Sequence, residues 1–380
     1  SAIGEVAQRL GLSTQVWCNP TGMIISFAER GPVDDRLSEL TQVLRLAPGE
    51  NDLRRLSIVD RIAEDVGDGK LGIADGYRQL RQLDRPPRWG SRLLRALAHG
   101  VSAGAVAVLF GLSGADVGVS ALNGLAIGLL GLLAARNAHF AAGYEAMAAL
   151  MVALFTAWYS AQVGPLEVNT VLVASLIVLL PGMMLTTAVN ELAVQHLVAG
   201  MSRFAGASAV LLKLVFGTAA GLEIAAVLGF PQQVAQAQAL SEPWAWLAVA
   251  VASLNFALLF KADWRDYPLV MASAAAGFAV ARLLGFNYGA EFAAFGAGLF
   301  VGVLSNVFAR ISNRPGAIVR VPGIIMLVPG STGFRSLFLA IQGEVSQGLD
   351  VAFALLLLLI ALVAGLLFAN VLITPRRSLS

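Results

Sequence analysis

Cysteine, histidine and charge are all scarce in this chain. One cysteine in 380 residues, Cys18, excludes an internal disulfide. The three histidines, His99, His139 and His196, stand far apart, which argues against a clustered metal site. Charged residues make up 13 % of the chain, where about 25 % is ordinary. So few charges cannot coat a water-soluble enzyme of this length. A net charge of +2 leaves no electrostatic footprint for nucleic acid. The sequence holds no HExxH, no GxSxG and no paired intramembrane aspartates, so neither an intramembrane hydrolase nor any other enzyme is expected. No cofactor is called for. What abounds is apolar: 57 % of residues are hydrophobic and the mean hydropathy is +0.74.

The charge is also uneven. Residues 1–92 hold 13 basic and 13 acidic residues, and the remaining three quarters of the chain hold 13 and 11. A water-soluble unit over residues 1–90 therefore precedes a membrane unit. The opening segment is short, amphipathic and followed by charge, unlike a signal peptide. Ser1 in place of Met points to processing or trimming. Ile3, Val6, Ala7 and Leu10 recur at helical spacing, with Gly11 as the stop. Two apolar runs joined by Asn19-Pro20-Thr21-Gly22 predict a β-hairpin, because Pro fixes φ and Gly supplies φ > 0. A strand is expected near 41–46, then a break at Pro48-Gly49-Glu50-Asn51. Stripes at Leu53, Leu56, Val59, Ile62 and Val66, and at Ile73, Tyr77 and Leu80, predict two amphipathic helices packed on the hairpin. Asp84–Arg88 reads as a rigid linker. The soluble unit is thus α+β.

About 20 mostly apolar residues cross a bilayer as a helix. Ten such spans are expected, near 93–112, 117–135, 142–160, 168–189, 208–229, 244–260, 268–285, 291–309, 321–341 and 351–373. Arg and Lys gather in alternate connections, at Arg85–Arg95, Arg136, Arg203, Lys261, Arg310–Arg320 and Arg376-Arg377. Basic connections stay in the cytoplasm, which places the soluble unit and both termini there. Gly100/Gly104, Gly124/Gly128, Gly217/Gly221 and Gly298/Gly302 are small-xxx-small pairs suited to close helix packing.

The membrane unit divides into two similar halves, 91–235 and 236–380. Arg136/Glu145 matches Arg282/Glu291 at an offset of 146, with Phe140/Phe286 and Gly131/Gly277. Pro181-Gly182 matches Pro329-Gly330 and Gly200 matches Gly348 at 148. Five spans per half is odd, so the copies lie inverted, as in secondary transporters whose site sits where broken helices meet. The expected fold is mainly α, a polytopic membrane protein with ten helices in a 5+5 inverted repeat behind a small α+β domain.

Pro-Gly inside an apolar span occurs at Pro181-Gly182, Pro322-Gly323 and Pro329-Gly330. Proline removes an amide donor and displaces the preceding turn. Such a break exposes carbonyls before it and N–H groups after it, and survives in lipid only where it lines a cavity or is covered by protein. Half-helices beginning near Met183 and Ser331 would aim positive dipole ends at a substrate carboxylate. Thr186, Thr187, Asn190, Glu191, Ser331, Thr332 and Arg335 are the side chains placed to meet the rest of a substrate. Thr186 and Thr187 have an alternative, bonding carbonyls one turn back. Arg335 could hold a carboxylate or neutralise Glu191. Glu145, Glu191, Glu223 and Glu291 are the proton-coupling candidates, since low dielectric favours a carboxyl that loads and releases protons. The three histidines read as surface residues.

Three segments, QVWCNPTGMIISF, LLPGMMLTTAVNELAVQHLVAGMSR and SNRPGAIVRVPGIIMLVPGSTGFRSL, together resemble the threonine/serine exporter family, in the family's order. The resemblance implies ten membrane helices, a cytoplasmic N-terminal domain, a bacterial inner-membrane location, and export of threonine and serine driven by the proton motive force. It also implies a longer amphipathic helix ahead of Ile3–Leu10. Two-chain relatives export dicarboxylates, so a succinate-type substrate is the alternative. The expected partners are the small solute, protons and the bilayer; oligomeric state, a homo-oligomer included, is left open.

Overall fold

The computed structural model describes residues 2–19, 22–29, 40–45, 52–83, 89–230 and 240–375. Helix α1 (Ala2–Arg9) ends before Gly11, whose φ of +82° turns the chain into the sheet. Strands β1 (Leu12–Asn19), β2 (Gly22–Glu29) and β3 (Leu40–Arg45) pair antiparallel in chain order. Asn19 lies opposite Gly22, the register a two-residue hairpin requires. Pro20-Thr21, the Pro48–Asn51 break and the Asp84–Arg88 linker fall outside the described residues. Helix α2 (Leu53–Gly67) is capped by Asp52, whose carboxylate accepts the Arg55 N–H at 2.9 Å. Helix α3 (Ile73–Gln82) follows. One expectation fails here. The element that packs on β1 is α1, while α3 packs on α2 and leaves Ile73 and Tyr77 more than half exposed.

Among the described residues, the membrane unit is built of helices. Its elements are α4 (Trp89–Leu109), α5 (Gly114–Ala134), α6 (Ala138–Gln162), α7 (Val168–Leu176), α8 (Gly182–Ala193), α9 (Leu197–Val227), α10 (Glu242–Leu259), α11 (Tyr267–Tyr288), α12 (Ala290–Ser312), α13 (Ala317–Ile325), α14 (Gly330–Ile341) and α15 (Val345–Leu372). Among the described residues, nine helical stretches are long and apolar enough to cross a bilayer, with Ala317–Ile341 counted as one. The pair α7 and α8 is interrupted and each piece is too short to span alone. Leu172, Leu176, Leu214, Phe334 and Leu359 fill the centre. Phe216, Phe286 and Val371 stand almost bare on the outside, which suits lipid rather than water.

Backbone details recur between the halves. A Cβ added to Gly217 would lie 2.2 Å from the Ala146 carbonyl, and one added to Gly365 would lie 2.2 Å from the Phe295 carbonyl. Helices α6 and α9 therefore touch as α12 and α15 do, with backbone against backbone. Gln195 and Gly343 both take positive φ, at +66° and +91°, at the corners after α8 and α14. Gly111 and Lys261 do so after α4 and α10, at +74° and +52°.

Two sequence expectations need correction. Pro322-Gly323 does not break its helix: both residues lie inside α13. Gly323 instead admits the side chain of Val301, which would sit 2.5 Å from a Cβ there. The Arg-x8-Glu match also fails as a structural correspondence. Arg136 lies beyond the end of α5, whereas Arg282 lies inside α11. The corners after α4 and α10 set an offset of 150 instead, which pairs Asp116 with Asp266.

Candidate transport cavity at the crossed helix breaks

The two breaks have nearly the same backbone. Pro181 takes φ −81°, ψ 39° and Pro329 takes φ −83°, ψ 47°. In each, the glycine N–H turns back to the residue before the proline: Gly182 to the Leu180 carbonyl and Gly330 to the Val328 carbonyl, both at 2.9 Å. Because proline has no N–H, the carbonyls of Ile177 and Ile325 lose their donors four residues on. On the other side, the N–H groups of Met183, Met184, Ser331 and Thr332 have no acceptor among the described residues. These are the unsatisfied first-turn donors of α8 and α14.

The breaks meet. A Cβ on Gly182 would lie 3.1 Å from Gly330 Cα and 2.4 Å from Val328 Cγ1; a Cβ on Gly330 would lie 3.0 Å from Gly182 Cα. Only glycine lets the half-helices start this close together.

A cavity of about 660 Å³ opens beside the crossing, within the ~300–1,000 Å³ usual for small-molecule sites. One break supplies Ile177 through Met184; the other supplies Ile325, Val328 and Gly330. Arg92, Arg95 and His99 of α4, Tyr144 of α6 and Phe256 of α10 complete the polar and aromatic wall. No acidic residue is among those described as lining it.

Buried carboxylates hold the entries to both broken helices. Asp116 accepts the Ser113 hydroxyl at 2.6 Å and the Glu167 N–H at 3.0 Å, and Glu167 is the residue that begins α7. Asp266 takes both arms of Arg314 at 2.7 and 2.6 Å, just before α13. That bond raises the Arg314 pKa above its ordinary value. A polar cluster also joins α5, α6 and α7: Asn123 donates to Thr156 at 2.9 Å and to Ser175 at 3.2 Å.

Of the substrate candidates named from the sequence, Pro181, Gly182, Met183 and Gly330 line this cavity. Thr186 and Thr187 donate to the Gly182 and Met183 carbonyls at 3.2 and 2.8 Å, one turn back. Asn190, Ser331 and Thr332 are half-buried and lie off the lining, as does Pro329. Glu191 receives the Arg203 Nε at 2.8 and 3.0 Å, so Arg203 neutralises it and Arg335 does not. Arg335 is exposed on α14. Glu145 faces Lys213 at 3.5 Å, and Glu223 and Glu291 are exposed.

Arg92, Arg95, His99 and Tyr144 are the cavity residues that reading the sequence missed. The signal was present: spacings of three and four put Arg92, Arg95 and His99 on one helix face. Their place at the start of a span gave them a different explanation, as cytoplasmic anchors.

Comparison with known proteins agrees with this architecture. The family model ThrE, of threonine/serine exporters, matches residues 1–225, and a second, "Threonine/Serine exporter, ThrE", matches residues 245–372. Three similar curated proteins are fungal and carry the name "Pheromone-regulated membrane protein 10". The one from Candida albicans (strain WO-1) is 28 % identical over 335 residues, covering 83 % of this chain and 29 % of its own length. The one from Eremothecium gossypii is 26 % identical over 341 residues, covering 87 % and 45 %. The one from Saccharomyces cerevisiae (strain ATCC 204508 / S288c) is 27 % identical over 331 residues, covering 84 % of each. This chain thus spans less than half the length of the first two. No solved structure matches it. It is a membrane protein with multiple spans, and it belongs to the threonine/serine exporter family.

Proposed function

We propose that the chain is a secondary transporter that exports threonine and serine, with its substrate bound at the crossed breaks. In this reading α7 and α8 form the tenth span. The halves 91–235 and 236–380 are the two copies of a 5+5 inverted repeat behind the cytoplasmic domain 1–90, and both termini are cytoplasmic. The matched φ and ψ at Pro181 and Pro329, and the matched corners, support the repeat. The observation that carries the function is the contact of Gly182 with Gly330. It brings the free N–H donors of Met183 and Met184 and two free carbonyls beside one cavity.

The chemistry suits a zwitterion with a hydroxyl. The carboxylate meets the free first-turn N–H groups of α8, and the ammonium meets the carbonyls freed at Ile177 and Ile325. Protons drive the cycle. Glu191 is the one proposed coupling acid on a broken helix, and its exchange of Arg203 for a proton would be felt at the break. A second reading, a dicarboxylate exporter, is favoured by one observation: the charged side chains described in the cavity are all basic. Flux of labelled threonine, serine and succinate from proteoliposomes under an imposed pH gradient tests both. Gradient-driven threonine movement that E191Q uncouples supports the first; succinate movement alone supports the second; no movement of any of the three defeats both.

A further inference from the structure

We infer that the face of α4 bearing Arg92, Arg95 and His99 is the carboxylate-binding wall of the cavity. The inference rests on the transport cavity proposed above but not on which solute it carries. The three side chains line the same cavity as Met183 and Met184, whose N–H groups are free. All three are half-buried, while the neighbouring Leu93 and Leu94 are the residues α4 turns outward. Arginines that merely anchor a span reach outward to headgroups; these two line the interior.

The hydrogen-bonding capacity of the two arginines is largely unspent. Arg92 has no hydrogen-bond or ion-pair partner among the described residues. The Arg95 guanidinium reaches one backbone oxygen, that of Ser91, at 3.3 Å. A guanidinium carries five donors in a fork that fits a carboxylate, and half-burying it without an anion is costly. His99 is held in a fixed orientation beside them. Its Nδ1 lies 2.7 Å from the Arg95 carbonyl, which can only accept, so Nδ1 carries the proton. The cavity wall that includes His99 also carries these two arginines on its own helix and Tyr144 of α6. Helices α5, α8, α10 and α13 present no charged side chain to the cavity. The nearest acid in sequence to the lining, Glu145, is turned to Lys213.

Packing does not demand these cations. At the offset of 150 set by the α4 and α10 corners, Arg92, Arg95 and His99 correspond to Glu242, Ala245 and Val249. Helix α10 holds its place in the other half with none of the three.

The test uses the full-length protein in proteoliposomes, with labelled threonine and labelled succinate as probes and threoninol, which lacks the carboxylate, as competitor. R92Q and R95Q should each raise KM for the carried carboxylate at least about tenfold, the loss expected of a charge-assisted bond. The maximal rate should stay within about twofold, and threoninol inhibition should not move. R92K/R95K keeps the charge and loses the fork, so an intermediate KM is expected. An unchanged KM overturns the wall, as does threoninol inhibition that weakens in step with threonine. If the Gln variants fail to fold, a wild-type KM in R92K/R95K overturns it. Intact threonine transport with unaltered KM in every variant sinks the wall and leaves the exporter standing. Carriage of succinate alone, lost in R92Q and R95Q, sustains the wall and sinks the amino-acid reading.

Discussion

Residues 91–235 and 236–380 carry Pro-Gly breaks of nearly the same backbone conformation and differ in their charges. Pro181 and Pro329 differ by 2° in φ and 8° in ψ, and the corners after α8 and α14 both use a positive φ. Yet α4 brings two arginines and a histidine to the cavity, where α10 has Glu242, Ala245 and Val249 at the matching positions. The contact made by α2 is likewise with the second region. Leu53 and Arg54 donate their N–H groups to the carbonyls of Phe260 and Lys261, and Leu53 is buried against Ala257, Val270 and Val321. The matching corner after α4 leaves Phe110 exposed. Shape at the breaks therefore comes from local Pro-Gly chemistry, which any copy carries. The charge of the cavity wall comes from side chains of α4, with no counterpart on α10.

The comparison can be broken first at its shared element. G182V forces a branched side chain into the Gly330 backbone and the Val328 side chain; transport should vanish, and overpacking should cost about 1–3 kcal/mol in thermal unfolding. G330V should match it, and a G330V variant with full flux would end the equivalence of the breaks. The next largest effect is expected of L53A, which should destabilise the domain contact by about 2–5 kcal/mol as a buried Leu→Ala change. Increased proteolysis within residues 52–83 would register it, whereas the matched change F110A should leave that pattern unaltered. D266N should then cost about 1–3 kcal/mol, less than a fully buried pair because the Arg314 side chain is 40 % exposed. D116N, which loses a hydroxyl and an amide partner rather than a cation, should cost less, about 1 kcal/mol; equal losses would contradict the asymmetry. The smallest effect lies outside both halves. Lys70, by hydrogen bond and charge, and then Arg9 hold the exposed Asp68 carboxyl below its ordinary pKa. Its contribution is present above about pH 4 and lost as pH falls through the lowered value. D68N should leave the melting temperature at pH 7 within measurement scatter.

Much of this architecture was legible in the sequence because its causes are local. Runs of apolar residues mark the spans, and Pro181-Gly182 and Pro329-Gly330 mark the breaks. Asn19–Gly22 marks the hairpin. Pro322-Gly323 misled because the same dipeptide inside a short helix can serve packing, and only Val301 reveals which. The Arg-x8-Glu match misled because spacing along the chain ignores where helices end. Arg203 as the partner of Glu191 was hidden by the turn between α8 and α9, which brings residues twelve apart together. The wall of α4 was hidden because an arginine near a span end looks the same whether it faces lipid or a cavity.

The central claim is that substrate occupies the space beside the crossed glycines, and site-specific thiol labelling tests it most directly. Cys18 is the single native cysteine, so a C18S background carrying V178C, at the cavity wall, reports access there, with F286C on the outer surface as control. Threonine should slow modification of V178C severalfold and leave F286C unchanged. Equal V178C labelling rates with and without saturating threonine, in protein that still transports it, would contradict the account.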